Sequence, residues 1–176
     1  DHFVELINTT IPKSQGQARA EMTVSRAFFD NFAGDNVRFL ARGFSNPGDH
    51  TGQQTNGFRW PYGPVSIISP FNFPLEIPLL QTFGALYMGN KPLVKCDSRV
   101  ALPFEEFINL AHACGLPRED LILVHSDGHN TEKIITHSDL KMTMFTGSSK
   151  IAHRLTEILH GRIKVEDAGL DWKILG

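Results

Sequence analysis

Cysteine is scarce in this sequence of 176 residues, which contains two, Cys96 and Cys114. Two cysteines do not form a disulfide framework, so we expect a reducing compartment. The net charge is −2 at pH 7 and the basic residues are scattered, which gives no argument for a nucleic-acid surface. No apolar stretch approaches the roughly 20 residues that a membrane span requires, so we expect none.

Two common ligand motifs are also absent. The sequence has neither a Gly-x-Gly-x-x-Gly fingerprint nor a P-loop. His125 and His129 have the spacing of a metal pair, but they lack an obvious third ligand, so we expect no metal site. What remains is an ordinary globular composition, 41% hydrophobic and 20% charged, with enough chain for a substantial core.

Apolar runs alternate with helical periodicity from residue 64 onward. Short apolar runs predict strands, and apolar residues at helical spacing predict the helices between them. This alternation indicates an α/β fold with an open, mostly parallel, Rossmann-like sheet and helices on both faces. The predicted strands are 65–69, 92–96, 121–125, 142–145 and 162–166, and the predicted helices are 76–88, 101–114, 130–137 and 148–159.

The first third of the chain has a different pattern. Residues 1–42 are predicted to be helical, with Pro12 in the first turn of a helix and a break near residues 30–35. Turn-forming residues predict a loop over 43–57, and residues 58–60 could form a short strand. We therefore divide the chain into an N-terminal helical segment and loop, 1–56, and a nucleotide-binding domain, 57–176. Both ends look cut, so we expect a mature fragment or a truncated product.

An asparagine between two prolines follows the first predicted strand of the sheet, in the run Ser69-Pro70-Phe71-Asn72-Phe73-Pro74. A buried amide costs free energy unless its hydrogen bonds are satisfied, so packing alone does not explain Asn72. At the carboxyl end of a strand the amide could instead point into a ligand cleft as a donor.

Three further motifs follow predicted strands. Gly147, Ser148 and Ser149 could form a pyrophosphate seat at a helix N-terminus, or simply an N-cap after a glycine turn. Lys95 could contact a ribose or a phosphate, or could be solvated. Glu166 could be a general base if burial raises its pKa, or a surface acid near a turn.

The cysteine next to Lys95 invites a nucleophilic role. Strand alternation puts the side chains of Lys95 and Cys96 on opposite faces, so we expect Cys96 to be a small buried residue. We expect the same of Cys114, near a helix end.

In this order and spacing, the four motifs resemble the aldehyde dehydrogenase superfamily, along the whole of residues 1–176. The stretches 57–64, 85–92 and 161–176 resemble its mitochondrial delta-1-pyrroline-5-carboxylate dehydrogenase branch. The resemblance implies NAD as cofactor, an aldehyde substrate and a mitochondrial location. For this branch it implies oxidation of glutamate 5-semialdehyde to glutamate.

The resemblance also implies a role for each motif. Asn72 would be the oxyanion-hole amide and Glu166 the general base. Ser69 and Phe71 would border the nicotinamide half of the cleft, and Lys95 would hold the adenosine ribose. Gly147, Ser148 and Ser149 would contact the pyrophosphate.

Some positions depart from the family pattern. Cys96 replaces a proline, Ser98 replaces an acidic ribose ligand, and Ala152 replaces the last glycine of the pyrophosphate turn. The Ser98 exchange could relax the choice between NAD and its phosphorylated form. The nucleophilic cysteine of the family would fall beyond Gly176, and neither Cys96 nor Cys114 matches it.

Two functions therefore remain open. The chain could be the cofactor-binding portion of a glutamate-semialdehyde dehydrogenase, in which case a homo-oligomer is possible. Alternatively it could be an inactive, truncated dehydrogenase module that serves as a structural subunit of a larger mitochondrial assembly.

Overall fold

The predicted alternation of strands and helices is confirmed by the computed structural model, which describes residues 1–169 and residue 174. The last residues of the predicted domain lie outside that part of the chain. In chain order the elements are α1 (His2–Thr10), α2 (Gln15–Phe32), β1 (Phe44–Pro47), β2 (Gln54–Gly57), β3 (Pro64–Ile68), α3 (Glu76–Tyr87), β4 (Lys91–Lys95), α4 (Leu102–Ala113), β5 (Ile122–Leu123), α5 (Gly128–His137), β6 (Met142–Gly147), α6 (Ser149–Ile158) and β7 (Ile163–Asp167).

Five parallel strands form the central sheet in the order β5-β4-β3-β6-β7. The chain runs outward from β3 to β5 and then returns to the other side of β3. The strand order therefore reverses between β3 and β6, and open α/β sheets bind ligands beyond the carboxyl ends of the strands at such a point.

Helices cover both faces of this sheet, as the sequence predicts. The first core contains side chains of α1 to α4 and the second contains side chains of α5 and α6. Because successive side chains of a strand point to opposite faces, Ile67 joins the first core while its neighbour Ile68 packs against the second.

The break predicted near residues 30–35 is confirmed, because α2 ends at Phe32, whereas the interruption between α1 and α2 was not predicted. Pro12 lies in the connection between α1 and α2 rather than in the first turn of a helix. The start of α2 is fixed by a capping box, in which the Ser14 hydroxyl accepts from the Gln17 N–H while the Gln17 side chain accepts from the Ser14 N–H. After α2 a short 3-10 helix, Gly34–Phe39, continues the helical segment.

The loop predicted over 43–57 is wrong, because β1 and β2 form an antiparallel hairpin there. Both strands are polar and almost fully exposed, so they lack the apolar alternation that identifies a strand in sequence. The short strand predicted over 58–60 is also wrong: these residues are exposed and unpaired in any ladder. The pair Phe44–Gly57 is the last of the hairpin ladder, so the pairing ends before residue 58.

The strand predicted over 121–125 is much shorter than expected. Ile122 and Leu123 pair with β4 at one edge of the sheet, and the Val124 N–H donates to the Val94 carbonyl oxygen at 2.8 Å. Across the described residues, no helix combines the length and the apolar character that crossing a membrane requires.

Candidate functional site

A cleft of about 970 Å³ opens at the carboxyl edge of the sheet. Its walls come from the segments that follow β3, β4, β6 and β7, together with the first turns of α5 and α6. It therefore occupies the position where the strand order reverses. Seven of the eight site residues predicted from the sequence line it: Ser69, Phe71, Asn72, Lys95, Gly147, Ser148 and Glu166.

The segment after β3 brings Asn72 to the cleft. The Ser69 N–H donates to the carbonyl oxygen of Lys95 at 3.1 Å, which ties the ends of β3 and β4 together. Asn72 is exposed rather than buried, so its amide is accessible to a ligand and carries no desolvation cost. The Ser69 hydroxyl is buried and lies beside the buried Cys96 thiol, so it faces the core rather than the ligand.

The segment after β4 adds an acid that the sequence reading missed. Lys95 and Asp97 both line the cleft, and the Arg99 guanidinium donates to both carboxylate oxygens of Asp97, at 2.9 and 2.8 Å. These hydrogen bonds hold the pKa of Asp97 below its ordinary value, so it stays ionised. A carboxylate that directly follows a strand at the ligand edge was the available signal.

The N-termini of α5 and α6 both face the cleft, and a carboxylate caps one of them but not the other. The N-terminus of α5 already has a carboxylate, since Asp127 accepts from the Asn130 N–H at 2.7 Å. The N-cap of α6, Ser148, makes no side-chain capping bond. Helix N-termini favour anions through their unpaired N–H groups and dipole, so α6 is the better seat for a phosphate.

Gly147, which directly precedes Ser148, packs closely against the Phe145 ring. A Cβ at this position would lie 2.6 Å from the Phe145 ring, which is buried in the second core and cannot move away cheaply. Ser149 is the one predicted residue outside the cleft lining. Its hydroxyl donates to the carbonyl oxygen of Ala168 at 2.7 Å, which fastens α6 to the segment after β7.

Glu166 lies near the end of β7 with its side chain exposed to the cleft. The Thr146 hydroxyl donates to it at 3.5 Å, and the Gln81 amide donates to that hydroxyl at 2.9 Å. The role predicted for Glu166 from the sequence required a buried side chain, and in the described part of the chain the side chain is exposed.

An ion pair joins α5 and α6, and the sequence did not predict it. The Arg154 guanidinium on α6 donates to the Glu132 carboxylate on α5 at 2.8 Å, and both residues line the cleft. The two are 22 residues apart on different helices, so no local pattern indicates that they meet.

The two cysteines have contrasting environments. Cys96 is buried, as predicted, and burial raises the pKa of its thiol to about 11. Cys114 is exposed, which corrects the expectation that it is buried, because it lies at the open end of α4. Within residues 1–169 and 174, no group of three or more potential ligands could hold a metal ion.

These features fit a dinucleotide. The cleft has an uncapped helix N-terminus for a diphosphate, and a lysine and an ionised carboxylate for ribose hydroxyls. Gly147 lines the cleft beside this N-terminus without a side chain of its own.

The model of the aldehyde dehydrogenase family matches residues 1–170, and the chain belongs to this family. It is 57% identical over its whole length to delta-1-pyrroline-5-carboxylate dehydrogenase 12A1, mitochondrial, from Arabidopsis thaliana, and it covers 32% of that protein. The chain thus spans about a third of the length of the curated relatives that it matches over its full length.

Solved structures support the same fold. A mutant of proline utilization A from Bradyrhizobium japonicum superposes with a TM-score of 0.83 at 28% identity, covering 95% of this chain and 18% of that one. An NAD-dependent benzaldehyde dehydrogenase from Corynebacterium glutamicum gives a TM-score of 0.84, covering 94% of this chain and 37% of that one. At 24% identity, the second likeness concerns the fold alone.

Proposed function

We propose that this chain is the cofactor-binding portion of an NAD-dependent aldehyde dehydrogenase that oxidises glutamate 5-semialdehyde, formed from delta-1-pyrroline-5-carboxylate, to glutamate. One observation carries the proposal: Asn72, Lys95, Gly147 and Glu166 line a single cleft where the strand order reverses. The proposed substrate follows from the 57% identity to the delta-1-pyrroline-5-carboxylate dehydrogenase of Arabidopsis.

Each residue has a role in the proposed reaction. Lys95 binds the adenosine ribose, and Asp97 can accept a hydrogen bond from the same sugar. Gly147 and Ser148 hold the pyrophosphate at the start of α6, which Ser149 anchors through Ala168. Ser69 and Phe71 border the nicotinamide half of the cleft. NAD, when bound, supplies the hydride acceptor.

The remaining two residues act on the aldehyde. The Asn72 amide donates to the oxygen that becomes negatively charged when a thiolate attacks the carbonyl carbon. Glu166 takes a proton from the attacking thiol, or from the water that hydrolyses the thioester. The thiolate belongs to a cysteine that the family has beyond the 176 residues.

Asn72→Ala in the full-length protein tests the oxyanion role. Turnover of glutamate 5-semialdehyde should fall by roughly two to three orders of magnitude, because one preformed donor to the oxyanion is lost. NAD affinity, measured by titration calorimetry, should change little. Asn109→Ala, an exposed asparagine on α4 away from the cleft, is the matched control and should retain full turnover.

Unchanged turnover in Asn72→Ala would refute the oxyanion role. A full-length protein that oxidises no aldehyde would favour the other function, an inactive module within a larger assembly.

We also propose a mitochondrial location and self-association. The location rests on the name of the Arabidopsis relative, and organelle import of the full-length precursor tests it. Self-association is supported by large exposed side chains around the β1–β2 hairpin, including Phe44, Phe58 and Trp60. Sedimentation of the full-length protein tests it, and a monomer would contradict it.

A further inference from the structure

The two residues that flank Asn72 are phenylalanines, and a cation from another part of the chain lies over each ring. The Arg99 guanidinium lies 4.9 Å from the centre of the Phe71 ring, and the Lys13 ammonium lies 3.9 Å from the centre of the Phe73 ring. Phe71 and Phe73 directly flank Asn72. A cation is attracted to the face of an aromatic ring, so each contact restrains one neighbour of the Asn72 amide.

The helix that follows this segment lacks a cap of its own. The N-cap of α3 is Leu75, which has no side-chain acceptor for the unpaired N–H groups of the first turn. Glu21, on α2, supplies one: its Oε1 accepts from the N–H of Leu75 at 2.8 Å and from the N–H of Glu76 at 2.9 Å. The acceptor therefore comes from a residue 54 positions earlier in the chain.

The other oxygen of the same carboxylate binds the lysine over Phe73. Lys13 Nζ lies 2.8 Å from Glu21 Oε2, and the side chains are 11% and 0% exposed. Replacing a buried ion pair by apolar residues of similar volume is often neutral or stabilising, so this pair is poorly explained by stability alone. Its contacts instead converge on the segment 73–76.

We propose that Lys13 and Glu21 are positioning residues for Asn72: the Glu21 carboxylate fixes the start of α3, and Lys13 fixes Phe73. This inference rests on the proposed oxyanion role of Asn72. A small displacement of a positioned group can cost about 100-fold in rate. The N-terminal helices would thus contribute to turnover without touching substrate or cofactor.

Two double variants of the full-length protein isolate the acceptor. Lys13→Met with Glu21→Gln removes both charges and keeps an oxygen for the Leu75 and Glu76 N–H groups. Lys13→Met with Glu21→Leu removes the charges and the oxygen at similar volume. We call these double variants the Gln pair and the Leu pair, after the residue that replaces Glu21. We expect the Leu pair to have a kcat about 100-fold below that of the Gln pair, with the same KM for NAD.

A third comparison separates positioning from general damage to the fold. In an Asn72→Ala background the two double variants should have the same kcat, since the group that they position is gone. Ser25→Ala is the matched control, because Ser25 is buried one turn further along α2 and its hydroxyl donates to the carbonyl oxygen of Glu21 within that helix. Its kcat should equal that of the unaltered protein.

The inference is overturned if the two double variants have equal kcat, or if their difference persists in the Asn72→Ala background. If Asn72→Ala alone leaves kcat unchanged, the proposed function fails instead, so the two failures are distinct. Should the Leu pair not fold, hydrogen exchange in the unaltered protein decides. The N–H groups of Leu75 and Glu76 should be protected, and exchange at the rate of free amides would overturn the role of Glu21.

Discussion

Cys96 and Cys114 illustrate how far environment determines the chemistry of one residue type. Cys96 is 4% exposed at the end of β4, beside Asp97 on the chain but on the opposite face from the cleft residue Lys95. Burial disfavours its thiolate and raises its pKa to about 11. Cys114 is exposed, so reagents can reach it in the part of the chain that the structure describes.

At the residue scale we predict selective labelling. Iodoacetamide at pH 8 should modify Cys114 in the native protein and leave Cys96 unmodified, and both should react in urea; mass spectrometry of peptides checks this. Because burial disfavours the thiolate, ionisation of Cys96 should lower the free energy of unfolding as pH rises from the ordinary thiol pKa through about 11, with no effect of this group at lower pH. Rapid native labelling of Cys96 would contradict the buried assignment.

At the scale of elements, the two strands that flank the cleft are joined by a buried polar contact. The Ser66 hydroxyl of β3 and the Thr143 hydroxyl of β6 lie 2.7 Å apart, and both residues are buried. A buried hydroxyl that loses its partner costs more than the hydrogen bond contributed, so the two should depend on each other.

We predict that Ser66→Ala and Thr143→Val each lower the free energy of unfolding by about 1–3 kcal/mol. The double variant should lose clearly less than the sum, because no orphaned hydroxyl is left. Urea denaturation of the three variants measures this. The exposed Ser98→Ala should change stability by less than about 0.5 kcal/mol, and additive losses in the double variant would refute the coupling.

At the scale of the whole molecule, the cleft is open to solvent on a chain that covers a third of its relatives' length. Glu166 and Asn72, which line this cleft, are both exposed. Under the proposed function, a longer chain supplies the nucleophile and covers these side chains.

We therefore predict that a polypeptide of these 176 residues alone binds NAD more weakly than the full-length protein and oxidises no aldehyde. Titration calorimetry with NAD and an assay of NADH formation check both parts, with the full-length protein as the control. Equal NAD affinity in the two would mean that the described cleft is sufficient for binding.

Much of the site was predictable, and the failures have physical causes. Lys95 and Gly147 end their strands and Glu166 is the next-to-last residue of β7, so parallel pairing brings all three to one edge. Asp97 had a local signal that was missed. The hairpin of β1 and β2 had none, since its exposed polar strands are held by backbone pairing.

The sequence by itself determined the order of strands and helices and the edge at which the motifs meet. Both follow from short-range periodicity and from parallel strands sharing a carboxyl edge. Only the tertiary structure decided which helix N-terminus is open to an anion, that Arg154 pairs with Glu132, and that Glu21 caps α3. These contacts join residues far apart in the chain, and they exist only once the helices have packed on the two faces of the sheet.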